Sequence, residues 1–251
     1  MSTLELEHLK HSSASGNNIT LAADGSITVN TTTLKVDATN NRVGVGTTSP
    51  GYPLQVNGSV DILNVKGSTG NAFVRFTDSD ATADFSIGAD DGSFAGSGSF
   101  ILYDRSNSAY RLAVNSNGHV LKPTQPGFFA YNLPAVSAGN YVVGGTVQYN
   151  IGNHFNSSNG TFTVPVAGRY HFVAGLLTSA GTANSSLEMT ININGSGLIS
   201  GNESCGNNQH GSAVISVPLT LQANDSIRHY LISGTMHNGH SNNYFGCYLI
   251  G

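Results

Sequence analysis

The stretch "VGVGTTSPGYPLQVNG" (43–58) places four residues between Gly46 and Gly51, the spacing of a loop that cradles phosphates. Such a loop continues with Lys and then Ser or Thr, because the ammonium holds the outer phosphates and the hydroxyl holds magnesium. Here Tyr52 and Pro53 follow. Pro53 has no backbone N–H and blocks the helix whose N-terminus would face the anion. The next residues, "PLQVNGSVDI", alternate like a strand and carry an Asn-Gly turn. These glycines serve chain geometry, not a phosphate.

Other groups give equally little chemistry. His237 and His240 in "MHNGHSNN" stand three apart, and threefold symmetry could gather copies around a metal. One chain supplies no third ligand by spacing, and a polar loop before the last strand needs no metal. His8 and His11 are in the same position, and His171 and His210 stand alone. Asp78, Asp80, Asp84, Asp90 and Asp91 could meet calcium, but the spacing lacks the glycine of an EF-hand loop. Asp90-Asp91-Gly92 suits a turn. No Ser, His and acid arrangement stands out, and paired glycosidase carboxylates cannot be placed from spacing in sequence. The expectation is a non-enzyme with no catalytic residue, no metal and no cofactor.

Composition points the same way. Of 251 residues only 10% are charged, against roughly 25% in an ordinary globular domain. Glycine numbers 31, tryptophan is absent, and Ser, Thr and Asn are frequent. A chain that solvates itself with hydroxyls and amides favours strands and turns over surface helices. The net charge of -4 and a pI near 6.1 give no footprint for nucleic acid. No apolar run reaches membrane-spanning length, and "MSTLELEHLKHSS" lacks the apolar core of a signal peptide. Cys205 and Cys247 make no disulfide framework; Cys247 lies in an apolar strand pattern, which predicts a buried free thiol. Sequons such as Asn159-Gly160-Thr161 matter only in a glycosylating compartment.

The elements that would position any site are short hairpins, then longer strands. Ile19 and Leu21 lead through Asp24-Gly25 to Ile27 and Val29; Leu34 and Val36 lead through Asn40-Asn41 to Val43 and Val45. Leu54 and Val56 lead through Asn57-Gly58 to Val60 and Ile62, and Leu112 and Val114 lead through Asn117-Gly118 to Val120. Each is a hairpin signal. One such hairpin buries almost nothing alone; stacked neighbours or copies from other chains must cover its apolar face. Residues 1–62 therefore read as attachment and stalk. Residues 63–121 read as a small β module, in which Phe85 with Ile87 and Phe100 with Leu102 alternate. "LKPTQPG" places a linker at 122–127.

From 128 to 251 the strands lengthen. Tyr170, Phe172, Ala174 and Leu176 share one face, as do Leu187, Met189, Ile191 and Ile193, then Ile215, Val217, Leu219 and Leu221. This spacing predicts an antiparallel sandwich or jelly roll. The last strand is apolar on both sides: Phe245, Cys247 and Leu249 on one, Tyr244, Tyr248 and Ile250 on the other. One core shields one face, so a trimer interface is expected over Tyr244, Phe245, Tyr248 and Ile250.

Two resemblances follow. "FFA" (128–130), Asn150, Gly152, Phe155 and above all "GTFTVPVAGRYHF" (160–172) carry the first. "ININGS", "LTLQANDSI" and "YFGCYLI" continue it in order. This half resembles the globular head of complement component one-q, in the tumour-necrosis-factor-like superfamily. The resemblance implies a ten-stranded jelly roll that assembles as a homotrimer, although no Gly-X-Y collagen repeat precedes it. Upstream, "LKHSSASGNNITLAADGSITV", "LKVDATNNRVGVGTTSPGYPLQVNGS", "FSIGADD" and "GSFILYDRSNSAYRLAV" resemble recurrent segments of tailed-bacteriophage fibre proteins of marine and cyanobacterial phages. That resemblance implies a trimeric virion appendage, attached to other tail proteins through its N-terminal segment.

Together these give an all-β expectation: a hairpin-rich fibrous trimeric stalk, then a jelly-roll head. The head would recognise a host-surface receptor, a glycan or protein, through long polar loops. Asn184, Asn207, Asn208, Gln209, His210, His237, Asn238 and His240 are the candidate contacts. Two other roles stay open at this stage, a capsid decoration or tail adaptor and a glycan depolymerase. Neither membrane insertion nor nucleic-acid binding is expected.

Overall fold

A computed structural model describes residues 8–9, 19–29, 33–59, 62–68, 70–80, 82–92, 96–179, 185–206 and 209–251. The described residues are all strand, turn and loop, with no helix. The chain divides into two compact units, Met1–Ala72 and Phe73–Gly251.

The first unit holds one sheet. Its strands are β1 (His8–Leu9), β2 (Ile19–Leu21), β3 (Ile27–Val29), β4 (Leu34–Asp37), β5 (Arg42–Val45) and β6 (Leu54–Val56), paired in chain order. The turns expected at Asp24-Gly25 and Asn40-Asn41 join antiparallel partners, with Gly25 and Asn41 at positive φ. The hairpin expected after Leu54 does not form as expected. β6 lies parallel to β5, with Val43 opposite Leu54 and Val45 opposite Val56, and Ile62 is in no strand. Val60 lies outside the described residues.

The former phosphate-loop candidate makes this parallel return. Val43 N–H donates to the Pro53 carbonyl, Asn57 N–H to Val45 and Gly46 N–H to Thr33. The Arg42 guanidinium donates to the Pro50 carbonyl at 2.9 Å. Gly46 has φ +72°, and a Cβ there would collide with the Asn57 carbonyl, so only glycine fits. Among the described residues of this unit only Ser26, Gly44 and Pro50 are buried; Leu9, Leu21, Leu54 and Ile62 are exposed. A sheet without a core is what the hairpin pattern implied.

The second unit begins with β7 (Ala72–Thr77), β8 (Asp84–Asp90), β9 (Ser99–Asp104), β10 (Ala109–Val114) and β11 (Val120–Leu121), in the spatial order β11-β10-β9-β8-β7. Ile101 and Ala113 are fully buried, and so is Ser86, whose hydroxyl accepts from Arg105 at 2.6 Å. Buried Asp104 accepts from Arg111 and Asn107. These donors hold its carboxyl below the usual carboxylate range, Arg111 foremost. Phe76 and Phe100 remain exposed on this module.

The remaining strands form a sandwich. They are β12 (Gly127–Tyr131), β13 (Asn140–Tyr141), β14 (Thr146–Ile151), β15 (Phe155–Asn156), β16 (Thr161–Thr163), β17 (Gly168–Leu177), β18 (Ser185–Ile193), β19 (Ser196–Cys205), β20 (Ser212–Leu221), β21 (Ser226–Ser233) and β22 (Tyr244–Leu249). One sheet runs β14-β12-β22-β17-β20 and the other β15-β16-β21-β18-β19, with β13 added to β21. The nonsequential order is that of a jelly roll.

Alternation decides what lies between the sheets. Phe128, Tyr170, Phe172, Ala174, Leu176, Leu187, Met189, Ile191, Ile227, Leu231 and Phe245 are all at most 1% exposed. Phe128 stacks on Phe155 with centroids 4.0 Å apart and meets Phe162 and Phe245. Asn150 pins the adjoining turn by donating to and accepting from the Phe155 backbone. Tyr170 is buried with its hydroxyl donating to the Val166 carbonyl. These contacts account for the aromatic positions Phe162 and Tyr170 of residues 160–172. Cys247 is a free, buried thiol, and burial pushes its pKa up so that it stays protonated.

Candidate recognition and assembly surfaces

The head carries two surfaces with recognisable chemistry. The first is the outer side of the sheet β14-β12-β22-β17-β20. Residues alternate through each strand, so those flanking the core positions point away from it. Phe129 rests on Gly246, where a Cβ would lie 2.7 Å from its ring, and its ring neighbours are Tyr131, Tyr149 and Tyr244. Tyr149 is 42% exposed, Tyr248 51% and Val214 53%. Tyr248 and Ser216 flank His171, their oxygens 3.1 and 3.0 Å from its two ring nitrogens. An aromatic band of this kind is a large apolar patch left exposed on a sheet face.

The sequence-predicted interface meets this surface in part. Tyr244 and Tyr248 lie on it, and Ile250, just beyond β22, is exposed. Phe245 does not. It is 1% exposed and packs inward on Phe128, Phe155, Phe172 and His229. The alternation that put Tyr244 outside put Phe245 inside. Phe129, Tyr131 and Tyr149 were missed. Their signal was the alternation of "FFAY" against buried Phe128 and Ala130.

The second surface is a loop cluster at one end of the sandwich. Buried Thr178 is its hub: Gly211 N–H donates to its hydroxyl, its own N–H donates to the Gly211 carbonyl, and His210 Nδ1 lies 2.7 Å from its carbonyl. Asn243, fully buried, accepts from Leu177 N–H and donates to the Leu133 and His237 carbonyls. Ala135 N–H donates to Asn238 Oδ1, and Asn242 N–H donates to His240 Nδ1.

These bonds bring His210, solitary in the sequence, beside the His237 and His240 pair. The His210 and His237 rings are 5.1 Å apart and the His237 and His240 rings 5.3 Å. Gln209 and Asn238 are exposed beside them. Asn184, Asn207 and Asn208 lie outside the described residues. Among the described residues no group of three or more His, Cys, Asp or Glu is arranged to hold a metal ion. Of the five aspartates of residues 78–91, Asp78 and Asp80 serve their own turn, accepting from Thr82 and, for Asp78, from Ala83, and Asp84 pairs with Arg75 at 2.7 Å. No helix of the described residues is long and apolar enough to cross a membrane.

Residues 128–250 match the family model of the C1q domain. The head is thus similar to the C1q domain. Domains of this type commonly form trimers and bind ligands. The globular domain of zebrafish complement 1qA protein is 19% identical, with a TM-score of 0.42 over 51% of this chain and 98% of that one. The Eiger TNF of S. frugiperda is 12% identical, with a TM-score of 0.43 over 51% and 94%. Murine APRIL is 11% identical, with a TM-score of 0.43 over 50% and 99%. No curated protein matches the sequence significantly.

Proposed function

We propose that the protein is a homotrimeric tail fibre of a tailed bacteriophage, a virion protein whose C1q domain recognises a host-surface receptor. The observation that supports it best is apolar surface that one chain leaves uncovered. The N-terminal sheet buries no large apolar side chain among its described residues, and the C1q domain presents Phe129, Tyr149 and Tyr248 outward. Further copies of the same chain supply a matching apolar surface, and C1q domains usually form homotrimers.

The upstream segments that resemble phage fibre proteins support a stalk in the virion whose N-terminal region contacts other tail proteins. The loop cluster holding Gln209, His210, His237, Asn238 and His240 is the receptor-binding end in this reading, and Asn184, Asn207 and Asn208, outside the described residues, remain candidate contacts. Amides and imidazoles suit hydrogen bonding to a glycan. Three copies multiply a weak site without any stronger contact. Fluorescently labelled full-length protein should bind host cells saturably, and gold-labelled antibody against the C1q domain should decorate the tips of tail appendages. Label over the capsid, or no cell binding, overturns the assignment.

A further inference from the structure

The sheet opposite the aromatic face carries a cleft of 340 Å³ lined by Tyr141, Thr190, Asn192, Gly195, Gly197, Tyr230 and Ile232. Its volume falls at the small end of ligand sites, which run from roughly 300 to 1,000 Å³. Strand order explains its walls. Tyr141 of β13 pairs with Tyr230 of β21, which pairs with Thr190 of β18. All point away from the core that Met189, Ile191 and Leu231 fill. On the other side β19 is irregular: Ile191 faces Ile199 but Asn192 faces Gly197. Gly195 and Gly197 put no side chain over the floor.

The floor is unusual for the outward side of a sheet. Thr190 is 4% exposed and Asn192 5%, and Asn192 Oδ1 has no hydrogen-bond partner among the described residues. A buried amide oxygen left unpaired costs free energy, so the cleft holds an acceptor waiting for a donor. That oxygen would lie 3.5 Å from a Cβ at Gly197, and Thr190 Oγ1 3.3 Å from it, which directs both into the space the glycine leaves. Thr190 Oγ1 donates to the Ile199 carbonyl at 2.8 Å, so its lone pairs remain for a ligand.

The walls are aromatic and fixed. Tyr141 and Tyr230 meet edge-to-face at 5.1 Å. The Arg228 guanidinium lies 3.3 Å from the centre of the Tyr141 ring and donates to the Asn159 carbonyl. Arg228, the cross-strand partner of Asn192, thus packs on Tyr141, and every residue lining the cleft is uncharged.

We propose that this cleft is a subsite for one neutral pyranose residue. A sugar ring offers what the cleft lacks, a hydroxyl donor for Asn192 Oδ1, and a C–H face to lie against tyrosine and Ile232. An anionic ligand would find no cation on the lining. The biological use of the subsite rests on the adhesin reading above; its chemistry does not.

Saturation-transfer NMR on the full-length protein tests it, with the methyl glycosides of glucose, galactose, mannose and N-acetylglucosamine at about 20 mM, suited to a single site of millimolar affinity. At least one should give ring-proton signals. Gly197→Val fills the cleft from a strand position that accepts a branched residue, and Asn192→Ala removes the acceptor. Each should weaken binding about tenfold or more, while Asn192→Ala changes the melting temperature little, because it deletes an unpaired acceptor along with one long 3.5 Å hydrogen bond to the Tyr141 hydroxyl. No signal from any glycoside, or wild-type signal in Gly197→Val, overturns the proposal. Cell adhesion of the same proteins separates the two claims. Glycoside binding lost in Gly197→Val with adhesion intact supports the subsite and moves the receptor site elsewhere. Wild-type adhesion without glycoside binding rejects the subsite and leaves the adhesin reading standing.

Discussion

His229 should make the head sensitive to mild acid. The residue is fully buried between Met189 Sδ, 3.1 Å from its Nε2, and the Phe245 ring at 5.5 Å. Its Nδ1 has no hydrogen-bond partner among the described residues, and burial lowers its pKa from 6.5 to about 3. The folded protein therefore holds it neutral where the unfolded chain protonates it. Below pH 6.5 the unfolded state binds more protons, so stability is full above that pH and is lost as pH falls towards 3. With those two values the loss is about 2 kcal/mol per chain between pH 7 and pH 5. Carboxylates do not confound this window. Asp104 and Asp225 are held below their usual range by Arg111 and Asn194 respectively, so their contribution is lost only at lower pH. Guanidinium unfolding at fixed protein concentration, at pH 7 and pH 5, should show the loss in wild type. His229→Leu, which suits the apolar surroundings, should reduce the loss by about 2 kcal/mol. Equal pH dependence in the two proteins would refute the assignment.

Three further substitutions probe the surfaces. Asn243→Ala strips partners from Leu177 N–H and two buried carbonyls; it should cost roughly 3–6 kcal/mol, read from denaturant midpoints. Gly246→Ala forces a Cβ to 2.7 Å from Phe129 and 2.9 Å from the Phe128 carbonyl, so it should destabilise by about 1–3 kcal/mol and lower the melting temperature. Tyr149→Glu combined with Tyr248→Glu puts charge on the outward aromatic face; it should weaken self-association about a hundredfold or more in sedimentation while leaving the far-UV spectrum unchanged.

What could be read from the sequence was local. Asp24-Gly25, Asn40-Asn41 and Asn117-Gly118 each sit between antiparallel partners, because a turn that needs positive φ names its own residues. The alternation of Tyr170, Phe172, Ala174 and Leu176 likewise marked a core face. What failed depended on pairing between distant segments. Asn57-Gly58 has a hairpin's sequence, yet β6 finds a parallel neighbour in β5. Two apolar faces on β22 were legible, but only the sandwich decides that Phe245 faces its own core. His210 looked solitary because its neighbours lie 27 and 30 positions on. The cleft had no local signal at all, since Tyr141, Asn192 and Tyr230 come from three strands far apart in the chain.

Native mass spectrometry of the full-length protein at micromolar concentration tests the central claim most directly. The uncovered apolar surface, read with the homotrimers that C1q domains usually form, predicts three copies of the 26.1 kDa chain, with the trimer lost in the Tyr149→Glu, Tyr248→Glu protein. A stable wild-type monomer would contradict it.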